Sequence, residues 1–323
     1  MRVSVIIPTS NRRETVLRTA QAVLRQDYPV PDCEIIVVVD GGGDGTAEAL
    51  RRLDIESRLR IVEQENRGPA SARNSGFQVA NGELLTFLDD DMLCTPGWLR
   101  AHVAAHASSD GDEIVGMGAI YADPEDAPTL AADVFSNGIG SEYLLHRDCP
   151  ERPWPKNVWS FANTSIRRKK LESAGGFDER FRMREDCELG ARLLNAGMRQ
   201  QFVADAVAYQ HCDKSPERLV RDAERFAEYD VLFLETHPGW MPHDFLTKIK
   251  REGPWKMATR HWISRHLKLA DAILRPVCEM GDGRPMPEVV RKLALRALLF
   301  RSGLHWYSRM REIAGVLPED LIG

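Results

Sequence analysis

Glu83-Leu84-Leu85-Thr86-Phe87-Leu88-Asp89-Asp90-Asp91-Met92 is the stretch from which the rest of the chain can be read. Its apolar run is short and carries no helical punctuation, so it predicts a buried strand. The strand runs straight into three consecutive carboxylates. Like charges at the mouth of a buried strand repel one another and lose solvation, which calls for a compensating partner. A hard divalent cation such as Mg²⁺ or Mn²⁺ meets that need, because it takes carboxylate oxygens and leaves sites open for phosphate. A solvated acidic turn or a helix N-cap accounts for the same three residues when the stretch is taken alone.

Upstream, strand-like and helix-like segments alternate. Val3 to Pro8 reads as a strand that stops at Thr9-Ser10-Asn11, before a helix from Arg12 to Arg25 with Val16, Leu17, Ala20 and Leu24 on one face. Glu34 to Asp40 is a continuously β-branched strand, as expected where both faces of a sheet are covered. It enters Gly41-Gly42-Gly43-Asp44-Gly45-Thr46 and a helix with Ala47, Leu50 and Leu53. A third strand (Leu59 to Val62) and a helix from Pro69 to Ala80 precede the acidic strand. Strand alternating with helix at this spacing predicts a doubly wound, mostly parallel α/β sheet. Ligands of such sheets sit beyond the carboxyl ends of the strands, where Thr9, Asp40, Asn66-Arg67 and Asp89 to Asp91 all fall. One crevice would collect them. The glycine run lacks the G-x-G-x-x-G spacing of dinucleotide sites, and no P-loop is present. Its glycines read as close backbone approach to a ligand or as a plain flexible turn.

Downstream, Pro96 to Ser108 reads as a helix whose His102 and His106 are expected on a solvated face, since no HExxH glutamate lies between them. Glu113 to Tyr121 is a further strand, and Asp123 to Pro155 reads as a mobile, substrate-facing loop. Val158 to Arg168 reads as a strand, and Gln201 to Gln210 as the last one, ending at His211. Between them a helix opens on Glu185-Asp186-Cys187-Glu188 and ends at Gly197. The three acids of its first turn also suit the helix dipole.

The totals are those of a soluble globular chain: 323 residues, 43% hydrophobic, 28% charged, formal net charge −5. No apolar run is long enough for a bilayer span, and the N-terminus is not expected to act as a signal peptide. Six scattered cysteines with no CxxC pair suggest reduced thiols and a cytoplasmic setting. Charge is uneven: Pro242 to Glu312 holds 15 lysines and arginines against 7 carboxylates. From Ser215 the chain reads as largely helical, so two domains are expected, 1–213 and 214–323. The basic amphipathic helices and Trp240, Trp255, Trp262 and Trp306 suggest either peripheral contact with the inner face of an anionic membrane or a packed helical appendage.

Roughly the first 211 residues resemble the family-two glycosyltransferases of GT-A fold. Val5-Ile6-Ile7-Pro8-Thr9-Ser10-Asn11-Arg12 is similar to the opening VIIPTYNR, with Ser10 where an aromatic is common. Ile36 to Thr46 is similar to IVVDDGSTDGT, with Val39 in place of the first aspartate. Asn66 to Asn74 resembles NxGxxxARN, Asp89-Asp90-Asp91 the D-x-D segment, and Glu185-Asp186 the acceptor-side acidic pair. The resemblance implies an inverting, metal-dependent transfer from a nucleotide-diphosphate sugar to an acceptor hydroxyl, in cell-surface glycan or other glycoconjugate synthesis. It implies nucleotide-sugar contacts at Pro8, Thr9, Asn11, Arg12, Asp40, Gly41, Arg67, Arg73, Asp89 and Asp90. Asp40 would accept from a base imide N–H, which favours a UDP-sugar. Asp89, Asp91 and His211 would hold Mn²⁺ or Mg²⁺. Asp186 would be the general base, with Glu185 as the alternative, and Trp159, Asn163 and Ser165 would touch sugar or acceptor. No nucleic-acid partner is expected. A sugar nucleotidyltransferase would instead carry a glycine-rich basic loop after the first strand, and a non-catalytic sugar-nucleotide-binding subunit would not need Asp186.

Overall fold

Ile35, Ile36, Val37 and Val38 are all fully buried. Successive strand residues point to opposite faces, so both faces of this strand are covered. It is β2 (Cys33–Asp40), paired in parallel with β1 (Val3–Thr9) and β3 (Leu59–Gln64). β1 pairs in parallel with β4 (Leu84–Leu88), the strand that carries the acidic triplet at its end. Helices α1 (Arg13–Leu24), α2 (Thr46–Leu53) and α3 (Pro69–Val79) connect these four strands and bury small or apolar residues such as Val16, Leu50 and Ala72. Parallel neighbours require such crossovers, since each strand must restart at the same end of the sheet. The computed structural model describes residues 1–53, 58–107, 113–126, 129–149, 159–240, 254–280 and 287–315.

Beyond β4 the sheet becomes mixed. The full order is β3-β2-β1-β4-β7-β6-β8-β5. β7 (Asn163–Arg167) runs antiparallel to both β4 and β6 (Ile114–Ala122), and β8 (Arg199–Gln210) is parallel to β6. A three-residue strand absent from the sequence reading, β5 (Met92–Cys94), follows the carboxylates directly and pairs antiparallel with β8. Its register sets Met92 opposite Gln210, so the end of β8 returns to the triplet. There the His211 backbone N–H donates to the Asp91 carbonyl oxygen at 2.8 Å.

The segment expected as a loop from Asp123 to Pro155 holds two helices, α5 (Leu130–Asn137) and α6 (Ile139–Asp148). Prolines 124, 128, 150, 153 and 155 flank the helical stretch without interrupting it. The Thr129 hydroxyl caps α5 by accepting from the Ala132 N–H at 3.1 Å. Residues 150 to 158, including the expected start of β7, lie outside the described residues. The remaining helices of the sheet region are α4 (Trp98–Ala105), α7 (Arg168–Ser173) and α8 (Glu185–Asn195).

The chain divides into two compact units, Met1–Pro124 with Gly140–His211, and Glu125–Ile139 with Cys212–Gly323. A simple division after residue 213 therefore misplaces α5, which groups with the later helices. The second unit also contains α9 (Pro216–Thr236), α10 (Pro254–Ser264), α11 (Leu267–Met280) and α12 (Glu288–Ala314). Leu130 of α5 packs there with Val220, Cys278, Ala294 and Leu298. A second cluster joins Ala223, Ala227 and Val231 to Trp306, Tyr307 and Met310. The buried Trp306 indole donates to Asp230 at 2.8 Å, so its polar edge is satisfied. Among the described residues no helix is long and apolar enough to cross a membrane.

Candidate active site

The acidic triplet is met by an arginine from the β1–α1 turn. Asn11 sits at φ 52°, a left-handed conformation that asparagine tolerates better than most residues. Arg12 follows and donates to Asp90 at 2.8 Å and to Asp91 at 3.1 Å. The Thr9 hydroxyl donates to the other Asp90 oxygen at 2.7 Å. One arginine does not offset so much buried negative charge. Burial pushes the Asp90 carboxyl up to about 7, with Arg12 opposing and Asp91 adding repulsion. Asp91 is raised by burial and then by Asp89, again against Arg12. One of its oxygens, Oδ1, is buried with no hydrogen-bond partner. An orphaned, charged oxygen in this position matches the donor chemistry of a hard cation. Asp89 is the most open of the three, and His211 lies beside Asp91 through its backbone. Among the described residues, however, no group of three or more histidine, cysteine or acidic side chains is gathered closely enough to hold a metal ion as it stands.

A second arginine ties the triplet to the other acidic pair. Arg73 on α3 is buried, donating to Asp89 at 2.9 Å and to Glu185 at 2.5 Å. Burial opposes its charge, but Asp89 and Glu185 more than offset that and hold its pKa above the ordinary value. Glu185 and Asp186 open α8, whose N-cap residue Arg184 is left-handed at φ 66°. Glu185 is committed to Arg73, whereas the half-buried Asp186 accepts, among the described residues, from the Cys187 N–H at 2.7 Å. Burial, and then Glu185, push Asp186 up to about 7 against the pull of Arg73. Tyr143 of α6, which the sequence reading passed over, is buried nearby. Burial raises its phenol, and the charges of Asp186 and Asp89 raise it further.

Asp40 takes a different role from the expected one. Its Oδ1 accepts from Gln64 at 2.7 Å and from the Arg67 N–H at 2.8 Å, while Oδ2 accepts from the Gly68 N–H at 2.8 Å. A carboxylate so engaged pins the β3–α3 turn. Gly41 follows at φ +73°, and a Cβ there would meet the Asn66 Cβ at 2.8 Å, so only glycine fits. The expected pocket contact of Arg67 is also displaced. Its exposed side chain reaches Glu179 at 2.6 Å. Pro8 lies in β1 opposite Val38.

Asn163 and Ser165 were expected at the sugar, and the structure places both in the interior. The Asn163 amide donates to the Ala119 and Ala206 carbonyls at 3.0 and 2.9 Å, which fixes its oxygen as the acceptor for the Trp98 indole at 2.7 Å. That same oxygen takes a bond from His102 Nε2 at 2.9 Å, leaving Nδ1 to accept from Ser165 at 2.8 Å. His106 Nε2 reaches the same hydroxyl at 2.9 Å. Both histidines are thus core residues, contrary to the solvated face the spacing suggested, and burial lowers His102 to about 4. Trp159 is buried too. It stacks near Phe161 and lies so close to Gly190 of α8 that a Cβ there would come within 2.2 Å of the indole.

Residues 4–173 match the family model described as Glycosyl transferase family 2, more than half of the chain, and the chain belongs to that family. It is 29% identical over 276 residues to the validoxylamine A glucosyltransferase of Streptomyces hygroscopicus subsp. jinggangensis, covering 75% of this chain and 62% of that protein. It is 30% identical over 208 residues to the glycosyltransferase AglE of Haloferax volcanii, covering 64% and 65%. The chain thus spans a little under two thirds of the length of these relatives. Among solved structures, the mannosyltransferase PcManGT of Pyrobaculum calidifontis, in complex with GDP-Man and Mn²⁺, superposes with a TM-score of 0.64 at 21% identity, covering 94% of this chain and 86% of that one. S. aureus TarS 1-349 in complex with UDP gives 0.52 at 18% identity, covering 98% and 92%. These structural likenesses are of fold, and the fold is of the GT-A type.

Proposed function

We propose that the chain is an inverting glycosyltransferase that moves a sugar from a nucleoside-diphosphate sugar to an acceptor hydroxyl on a glycan or glycoconjugate. The observation that carries this reading is Arg73, which binds Asp89 with one nitrogen and Glu185 with another. That bridge brings the donor-side carboxylates and the acceptor-side pair close together, which supports reading them as one site. Asp89 and Asp91, with His211 alongside, are the residues that would hold Mn²⁺ or Mg²⁺. A divalent ion there would offset the charge that builds on the departing diphosphate. Arg12 and Thr9 hold the triplet in place, and Arg73 holds Glu185. Asp186, free of that arginine's direct grip and with a pKa near neutrality, takes the proton from the acceptor hydroxyl as the oxygen attacks the anomeric carbon. A single displacement from the face opposite the diphosphate inverts that centre. With Asp40 engaged internally, UDP- and GDP-sugars are both to be tested as donors.

Thermal shift of the whole chain with UDP or GDP, with and without Mn²⁺, tests donor and cation together. A nucleotide-dependent rise in Tm that a chelator abolishes is expected, and no response to any nucleotide with Mn²⁺ present would overturn the reading. Asp186→Asn should then bind donor and fail to transfer sugar. Unchanged transfer would remove the assigned base.

A further inference from the structure

We propose that α10, α11 and the adjoining face of α12 form a docking surface for an anionic lipid bilayer. Leu269, Ile273, Pro276 and Met280 follow one another at intervals of four, three and four residues, and all are exposed. Such spacing puts them in one stripe along α11. The same helix turns Leu274, Val277 and Cys278 into the core of its unit. One apolar face is enough to pack a helix, so an outer stripe needs a second apolar partner. Trp262 of α10 and Phe300 of α12 adjoin the stripe, and together with Leu269 and Ile273 they line a shallow groove of about 270 Å³. Exposure is substantial: 63% for Trp262, 61% for Leu269, 63% for Ile273 and 56% for Met280.

Charge selects the partner. Lys256, Arg265, Lys268 and Arg296 are exposed on these helices and the turn between α10 and α11, and none has an ion-pair partner among the described residues. The carboxylates of α10 and α11 do not neutralise them. Asp271 is engaged by Arg301 at 2.7 Å and by His305 at 2.9 Å, and Glu279 by Arg275 at 2.7 Å. The face therefore presents apolar side chains within a rim of uncompensated cations. A second copy of the chain docking through it would set like charges against one another. An anionic membrane supplies both what the apolar stripe and what the cations lack: an acyl layer for Trp262, Leu269 and Ile273, and headgroup charge for the lysines and arginines. The mode is attachment in the plane of the interface, since no described helix is long and apolar enough to span.

Co-sedimentation of the full chain tests this with two vesicle types, phosphatidylcholine alone and phosphatidylcholine containing phosphatidylglycerol. The chain is expected to pellet with the second and much less with the first, and raising salt should release it as charges are screened. Arg265→Glu with Lys268→Glu should weaken binding about thirty-fold or more at unchanged Tm, on about a fivefold loss per cation. Trp262→Ser with Ile273→Ser should also abolish pelleting, with an unchanged or higher Tm because both side chains are solvent-exposed in the free protein. Equal recovery with and without anionic vesicles would overturn the proposal. So would equal binding to both vesicle types, or a concentration-dependent dimer in light scattering that the same substitutions dissolve while the chain never pellets.

Discussion

Asp40 and Asp91 are both buried carboxylates at the carboxyl ends of strands in one sheet, yet their surroundings differ in kind. Asp40 accepts three bonds from Gln64, Arg67 and Gly68, two of them from backbone amides. Asp91 shares Arg12 with Asp90, faces Asp89, and leaves one oxygen without a partner. The first is satisfied by its own chain and builds a turn. The second holds charge that its own chain does not balance. Buried polar groups are nearly always paired, so an exception at a crevice points to work on something outside the protein.

The sharpest way to break that contrast is at Asp186, which belongs to the unbalanced set. Asp186→Asn should lower transfer by about 10²–10⁴-fold in single-turnover assays while leaving donor affinity within a few-fold. Near-native turnover would place Asp186 with the structural carboxylates. The pH profile comes next in size. A general base works unprotonated, and Asp186 is pushed up to about 7 in the free protein, so kcat/KM should fall about tenfold per pH unit below about 7. At pH 5 the loss is about 100-fold, and a flat profile from 5 to 8 would contradict the assignment.

Stability measurements at pH 8 in chelator sharpen the contrast further. Asp40→Asn should lower unfolding free energy by about 1–3 kcal/mol, because the introduced NH₂ donor would face backbone N–H groups that need an acceptor. Asp91→Asn should change stability by less than about 1 kcal/mol, and toward higher Tm, since it removes an ion raised in pKa by burial and by Asp89. The same substitution should erase any rise in Tm on adding Mn²⁺ with nucleotide. Two aspartates in one sheet would thus respond with opposite sign. A Tm drop of similar size for both would dissolve the distinction.

The parallel half of the sheet was legible because its strands are continuous apolar runs and its crossover helices carry regular stripes. The acidic triplet and the Glu185-Asp186 pair were legible as well, as carboxylates at element ends. What stayed hidden depends on partners far away in the chain. His102 meets Asn163 and Ser165, more than sixty residues on, so local spacing suggested solvent where the fold supplies a polar core. Arg73 meets Glu185, 112 residues away, and nothing in its own neighbourhood announces an ion pair. Asp40 shows a further partner that its motif position does not announce: the backbone N–H groups of Arg67 and Gly68 in the next turn. Helices α5 and α6 are short, amphipathic only in part, and set between prolines, so they carry little local pattern. β5 is too short to carry a pattern.

Leu130 has a consequence for how this protein is made. It is fully buried against Ala294 and Leu298, side chains that leave the ribosome long after it does. At about 5–20 residues per second, α5 emerges on the order of ten seconds before its cover exists. During that interval the nascent chain carries an uncovered apolar helix between two halves of a sheet, a natural point of chaperone engagement. A gene shortened to end after residue 213 would make that interval permanent, and its product should be recovered mainly as aggregate.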